Sequence, residues 1–349
     1  MDFTLTVEQQ MVRDTARALF AKECPSSLVR AHIVDPAAAD VLWPHLQDWV
    51  ALGDGPCTDL ALFCEEAGAA IVPGPFFATA ALALPLLRAM ADAAPGSPTA
   101  AIADQVGAGT RTATVAWAGV DGIWVIDPPE DHGRTFILEA DRVDTIVVML
   151  PGPSAIAVDA RILREELVPV ATLDTTRRCC FLSASSVASL AGATAVVPLD
   201  PDRLAGVLAG ATVALAAELV GTARWLLDAS VAYAKERVQF DKPIGAFQAV
   251  QHQLVDMALD VERATAAVFY AAMAVDAADE DAPRATHVAK AAAGTAARHC
   301  AKVGMQIHGG IGYTWEHDLH LYLRRAHASD DLLGDAAYHH DRLAALLFG

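Results

Sequence analysis

Basic residues are scarce in this chain: 25 Lys and Arg stand against 43 Asp and Glu, for a formal net charge of −18. A balance of that sign repels the phosphates of nucleic acid and the anionic surface of a membrane, and no basic stripe offsets it. Cysteine is sparse as well. The six thiols, Cys24, Cys57, Cys64, Cys179, Cys180 and Cys300, show no spacing suited to a metal. Adjacent Cys179 and Cys180 face opposite sides of a strand, so reduced, mostly buried thiols and no metal site are expected. Apolar runs are broken by Pro, Gly or charge before reaching spanning length, which argues against a transmembrane helix. The opening Met1 to Gln10 has neither the basic region nor the apolar core of a secretory leader, so a cytoplasmic location is expected.

What is abundant is alanine-rich hydrophobic sequence, 54% apolar over 349 residues. That length suffices for two or three compact units with a large core. Residues 1–110 read as helical, with Thr6 as N-cap and Glu8 and Gln9 in the first turn. A second helix covers Leu60 to Ala69, Val72-Pro-Gly-Pro-Phe76 breaks it, and residues 76–93 restart one. Residues 111–200 change character. Thr112–Ala118, Ile123–Asp127, Thr145–Leu150 and Ala155–Asp159 are short, β-branched runs divided by Gly, Pro and Asp, as an antiparallel sheet requires. Residues 201–349 return to helix, with four predicted at about 202–235, 245–277, 283–307 and 319–347 and apolar stripes suited to an antiparallel bundle. The expected class is α+β: a helical domain, a β domain and a four-helix bundle.

Two segments carry chemistry. In Tyr233–Val255 a helix ends near Arg237, a turn holds Phe240, Pro243 and Gly245, and the next helix starts near Gln248. An Arg at such a junction can fork onto a diphosphate, a Gln can add a hydrogen bond, and a Phe can cover an adenine or ribose face. In Gln306-Ile-His-Gly-Gly310 a long helix ends in glycines that let backbone approach a phosphate without a Cβ in the way. Each segment also has a plainer reading, an Arg paired with an acid and glycines that only cap a helix.

Together the two segments resemble the C-terminal domain of the acyl-CoA dehydrogenases, and the likeness extends through Thr4–Gln10, Pro73–Phe76 and Leu173–Arg178. That resemblance implies oxidation of the Cα–Cβ bond of a CoA thioester. It also implies that Arg237, Phe240, Gln248, Gln306, Gly309 and Gly310 bind the ADP part of FAD across a subunit interface.

The resemblance fails at two places, the catalytic base and the middle domain. The family's catalytic glutamate precedes a Gly, a fixed distance after an Arg that here is Arg325, and that position is Leu333. The alternative site, on the first helix of the C-terminal domain, is Ala211. No catalytic residue is therefore assigned. Asp331 and Asp335 flank Leu333 but are expected to aim elsewhere, and Glu218 lies two turns from Ala211 on nearly the same face. The family's flavin-ring loop and Trp-Ile-Ser/Thr strand are not recognisable in residues 111–128, where Trp117 and Trp124 read as sheet core. Thr314–Arg325 is similar to the base-lacking β-type subunits of heteromeric actinobacterial steroid-CoA dehydrogenases. The implied partners are a homologous base-bearing subunit in an α2β2 assembly, an acyl-CoA (a steroid side chain by this likeness) and an electron-transfer flavoprotein. Two alternatives stay open: a homomeric dehydrogenase using Asp335 or Glu218 as base, and a flavin-free scaffold.

Overall fold

A computed structural model describes residues 4–119, 122–129, 133–193 and 195–348. The N-terminal stretch forms α1 (Val7–Glu23), α2 (Ser26–Val34), the single turn α3 (Trp43–Leu46), α4 (Cys57–Ala69), α5 (Leu84–Ala93) and α6 (Pro98–Gly107). Thr6 starts α1 with a capping box: its hydroxyl accepts from Gln9 N–H at 3.2 Å, and the Gln9 amide oxygen accepts from Thr6 N–H at 3.0 Å. After the Pro-Gly-Pro break the chain re-enters helix at Phe76 and passes through a π-helical turn, Ala78–Ala83, before α5.

The middle region contains β1 (Ala113–Ala116), β2 (Arg134–Leu138), β3 (Thr145–Leu150), β4 (Ser154–Asp159), α7 (Ala160–Leu163), β5 (Val168–Val170), β6 (Cys179–Leu182), α8 (Ala184–Ala193) and β7 (Val197–Pro198). One sheet has the order β1-β3-β4-β7 and a second the order β2-β6-β5. Pairing is antiparallel except between β1 and β3, which run parallel because the chain between them crosses into the second sheet. The strand expected at Ile123–Asp127 is irregular instead. Trp117 donates its indole N–H to Val125 O at 2.8 Å, and its ring lies 5.9 Å from Trp124. A turn closed by Gly119 N–H to Ile123 O, with Pro128-Pro129 beyond, leaves no room for a ladder there.

The C-terminal region is α9 (Pro201–Glu236), a tight hairpin of β8 (Val238–Gln239) and β9 (Lys242–Pro243), then α10 (Gln248–Asp276), α11 (Ala282–His308), α12 (Leu319–Asp331) and α13 (Ala336–Phe348). The single fourth helix expected at 319–347 is two. Leu333 and Gly334 take left-handed backbone angles, φ +60° and +94°, which no helix continues through. By length and composition α9 could cross a membrane, contrary to the expectation that no run is long enough. Its most apolar window is 72% buried inside the protein, as befits the central helix of a bundle. At its crossing with α4, a Cβ on Gly68 would lie 2.0 Å from Glu218 O and one on Gly221 1.8 Å from Glu65 O, so the contact is backbone against backbone.

Candidate cofactor half-site and active-site cavity

The turn between α12 and α13 forms one wall of a cavity of about 1110 Å³. Leu333 is buried and lines it, together with the α9 residues Leu208, Ala209 and Thr212, the middle-region residues Trp124 and Phe136, and the α10–α11 connection. The buried Lys290 fixes the turn by donating to Asp330 O and Gly334 O, each at 2.7 Å. Burial lowers its pKa to about 8, against the pull of the neighbouring acids Asp330, Asp331 and Asp335. Ala211, the second position where a base was sought, is 1% exposed on α9 and carries no functional group.

The nearby acids divide sharply. Glu218 does not line the cavity. Its carboxylate is held by Arg177, accepts from Ser329 Oγ at 3.1 Å and lies 3.6 Å from Arg325. Arg325, 0% exposed, also donates to Asp174 at 2.6 Å and to the Thr176 hydroxyl. Burial works against the charge on Asp174, but Arg325 and Arg177 outweigh it and hold that carboxyl below its ordinary value. Glu218, the alternative base, is thus tied into an ion-pair network away from the cavity wall. Its network joins α9 and α12 to the loop before β6.

Asp331 and Asp335 behave otherwise. The expectation that they aim elsewhere, made for a helix or a turn alike, is not met: with the left-handed turn at Leu333–Gly334 between them, both lie on the cavity wall. Asp335 caps α13, accepting from Tyr338 N–H at 2.8 Å. Burial and the adjacent Asp330 raise the pKa of Asp331. His339, 2% exposed, accepts no proton easily. Burial first, then Lys290 and His287, push its pKa down to about 3. Between pH 6.5 and 3 the unfolded chain therefore binds more protons at this residue, and its contribution to stability falls as pH falls through that window by about 1.4 kcal/mol per unit. His339→Phe loses the neutral ring's hydrogen bonds but escapes this acid penalty. The gap between the unfolding free energies of the variant and the parent, from urea titration, should shrink by roughly 2 kcal/mol from pH 7 to pH 5.

The six predicted cofactor contacts occupy one end of the bundle in two groups. Arg237 is the C-cap of α9, Phe240 sits at φ +53° in the hairpin and is 86% exposed, and Gln248 opens α10. The exposed Arg237 guanidinium has no ion pair or hydrogen bond among the described residues, which answers the plainer reading of an Arg paired with an acid. Gln306, Gly309 and Gly310 line a separate hollow of about 820 Å³ with Arg298, Lys302 and His327. The groups adjoin where Tyr233 stacks on His308, ring centroids 4.4 Å apart. Gly309 ends α11 at φ +60°, and a Cβ added to Gly309 or Gly310 would meet nothing within 4 Å. An unpaired guanidinium, an exposed aromatic and open backbone fit the diphosphate and adenosine of a dinucleotide. Downstream, His317 caps α12 by accepting from Leu319 N–H at 3.1 Å, a structural role.

Residues 204–347 match the family model for the acyl-CoA dehydrogenase C-terminal domain. Over 338 residues the chain is 34% identical to acyl-CoA dehydrogenase IpdE2 of Mycobacterium tuberculosis, covering 93% of each protein. The chain belongs to the acyl-CoA dehydrogenase family. Among solved structures it is similar to a chain of the ChsE4-ChsE5 complex from Mycobacterium tuberculosis, with TM-score 0.82, 21% identity and 99% of each chain covered. It also matches a variant of the Tcur3481-Tcur3483 steroid ACAD, with TM-score 0.80, 24% identity and 97% of each chain covered. Membership makes the chain an oxidoreductase-family protein acting on acyl-CoA, in a family that works with FAD. Leu333, at the position where the resemblance looks for a carboxylate, lines this cavity with an alkyl group. The sequence missed the opening of Asp331 and Asp335 onto this cavity. A Leu-Gly pair interrupting a predicted long helix was the available signal.

Proposed function

We propose that this chain is the base-lacking subunit of a heteromeric, FAD-dependent acyl-CoA dehydrogenase. In that reading Arg237, Phe240, Gln248, Gln306, Gly309 and Gly310 hold the ADP part of a flavin whose ring lies in a homologous partner, in an α2β2 assembly. FAD supplies the acceptor for the hydride that leaves Cβ. The chain's own residues would grip the nucleotide: Arg237 would fork onto the diphosphate, Phe240 would cover the adenosine, and the Gly309–Gly310 backbone would offer N–H donors. Proton removal from Cα falls to the partner. The observation that carries this reading is the pairing of an uncommitted Arg237 with Leu333 at the base position. Support also comes from the two structural relatives, which are described as a two-protein complex and as a steroid ACAD named for two proteins. The second makes a bulky steroid-type acyl group the substrate class to test first, with electrons passing on to an electron-transfer flavoprotein. Six cysteines without a disulfide accord with a reducing cytoplasm.

The direct test compares the purified chain alone with the chain co-purified from its host. Alone, it should hold little flavin and turn over no acyl-CoA. In complex, about one FAD per two chains should appear with a homologous partner. A single chain that is fully yellow and bleaches with an acyl-CoA refutes the assignment.

The position of Asp335 on the cavity wall favours one second reading, a homomeric enzyme with this carboxylate as base. Asp335→Asn separates the two. It should leave the activity of the complex within about 3-fold, because a cap is all it weakens, whereas loss of a base costs about 10²- to 10⁴-fold.

A further inference from the structure

The hollow lined by Gln306, Gly309 and Gly310 has no Asp or Glu on its wall, although the chain as a whole carries a net charge of −18. Arg298, His299, Lys302 and His327 stand there instead. His299 is matched by Asp260, whose carboxylate lies 2.7 Å from its Nδ1. Lys302 is exposed, and neither it nor His327 has an ion pair or hydrogen bond among the described residues. None of these four belongs to the two motifs on which the family resemblance rests.

Arg298 is anchored from below. Lys290, Gly294, Arg298 and Lys302 recur at every fourth position of α11, and the first three meet the end of α12 at Asp330. Lys290 donates to Asp330 O at 2.7 Å, and a Cβ on Gly294 would lie 1.9 Å from Asp330 Oδ1. Arg298 Nη1 donates to Asp330 Oδ2 at 2.9 Å. The carboxylate is buried, its Oδ1 has no hydrogen-bond partner, and Arg298 is its one ion-pair partner among the described residues. A carboxylate wedged against helix backbone cannot follow a moving guanidinium, so it fixes where the guanidinium lies. Losing that partner would leave a buried charge unpaired, which holds Arg298 in place. One of its five N–H donors is thereby used, and the side chain is 47% exposed on the hollow. Lys302 follows one turn later, about 6 Å along the axis and on a neighbouring part of the same face.

We propose that Arg298 and Lys302 are further phosphate-contacting residues of the nucleotide half-site, and that Asp330 is the positioning residue that holds Arg298 toward the hollow. The proposal rests on the half-site reading and adds charged contacts to the neutral Gln306 and glycines. A planar fork and a point charge one turn apart suit the neighbouring phosphates of a diphosphate. A nucleoside without phosphates gains nothing from either.

ADP and adenosine, titrated by calorimetry into the protein as purified from its host and stripped of flavin, provide the test. The parent should prefer ADP. Arg298→Gln and Lys302→Gln should each weaken ADP about 10-fold and leave adenosine within about 2-fold. Asp330→Asn leaves Arg298 charged but unanchored, and should weaken ADP about 3-fold with adenosine unchanged. A structural role would weaken both ligands alike, so equal losses overturn the proposal. ADP affinity unchanged in Asp330→Asn overturns the positioning role. ADP affinity unchanged in Arg298→Gln and Lys302→Gln but lowered by Arg237→Ala overturns the proposal and leaves the half-site standing. A parent that binds ADP no better than adenosine overturns both. Should the Arg298 or Asp330 variant fail to fold, Lys302→Gln at its exposed position decides.

Discussion

Arg325→Met is expected to cost about 3–5 kcal/mol of stability, measured by urea or thermal unfolding. The side chain it replaces is 0% exposed and holds Asp174, Thr176 and, more distantly, Glu218. Methionine fills nearly the same volume, so packing loss is small and the effect is electrostatic. Arg177 remains to pair with Glu218 and acts on Asp174 only at a distance, which leaves Asp174, 1% exposed, without its direct ion-pair partner. An uncompensated buried carboxylate is the expensive outcome. Arg325→Met with Asp174→Asn should therefore recover more than half of the loss, because Thr176 can still bond a neutral amide. A single-variant cost under about 1 kcal/mol would show that the Asp174 carboxylate finds water or takes up a proton cheaply. The network also ties Glu218, buried and acidic, away from the cavity wall: its charge joins α9 and α12 to the middle region.

How far the chain could be read in advance follows from the range of each interaction. Local rules located Thr6, because a capping box spans four residues and is decided by their chemistry alone. They located the bundle helices as well, since α9, α10 and α11 each present a long stripe of small apolar residues with the period of a helix. Local rules failed where distant packing decides. Ile123–Asp127 has strand composition, yet the indole N–H of Trp117 takes the carbonyl of Val125 that a ladder would need. The break at Leu333–Gly334 was hidden because leucine at φ +60° is strained, and the turn is held by Lys290, more than forty residues earlier, together with His339 on the following helix. The ion pairs of Glu218 were invisible for the same reason: its partners come from residues 177, 325 and 329. At the half-site the sequence supplied residue types and order, and the structure supplied the state of each group. Arg237 uncommitted and Gly310 facing open space are facts of geometry that no motif contains.

Arg237→Ala in the assembled complex is expected to weaken FAD binding by roughly 10- to 100-fold, read as flavin-to-protein ratio after gel filtration. The magnitude follows from losing one bidentate, charge-assisted contact to a diphosphate, worth about 1.5–3 kcal/mol. Two features of the site make the result clean. The guanidinium is exposed and makes no ion pair among the described residues, so its removal should change the unfolding midpoint of the chain by no more than surface substitutions do, about 0.5 kcal/mol. It also caps α9 through its backbone, with N–H to Tyr233 O at 2.9 Å, an interaction alanine preserves. Arg237→Lys should fall between, since a point charge attracts the phosphates without the planar fork. The ordering Arg, then Lys, then Ala in flavin content, at constant stability, is the signature of a phosphate contact. Equal flavin content in all three would mean that the bundle end serves partner binding alone, as the scaffold reading requires. A loss of flavin that tracks loss of the partner subunit would assign Arg237 to the subunit interface rather than to the nucleotide.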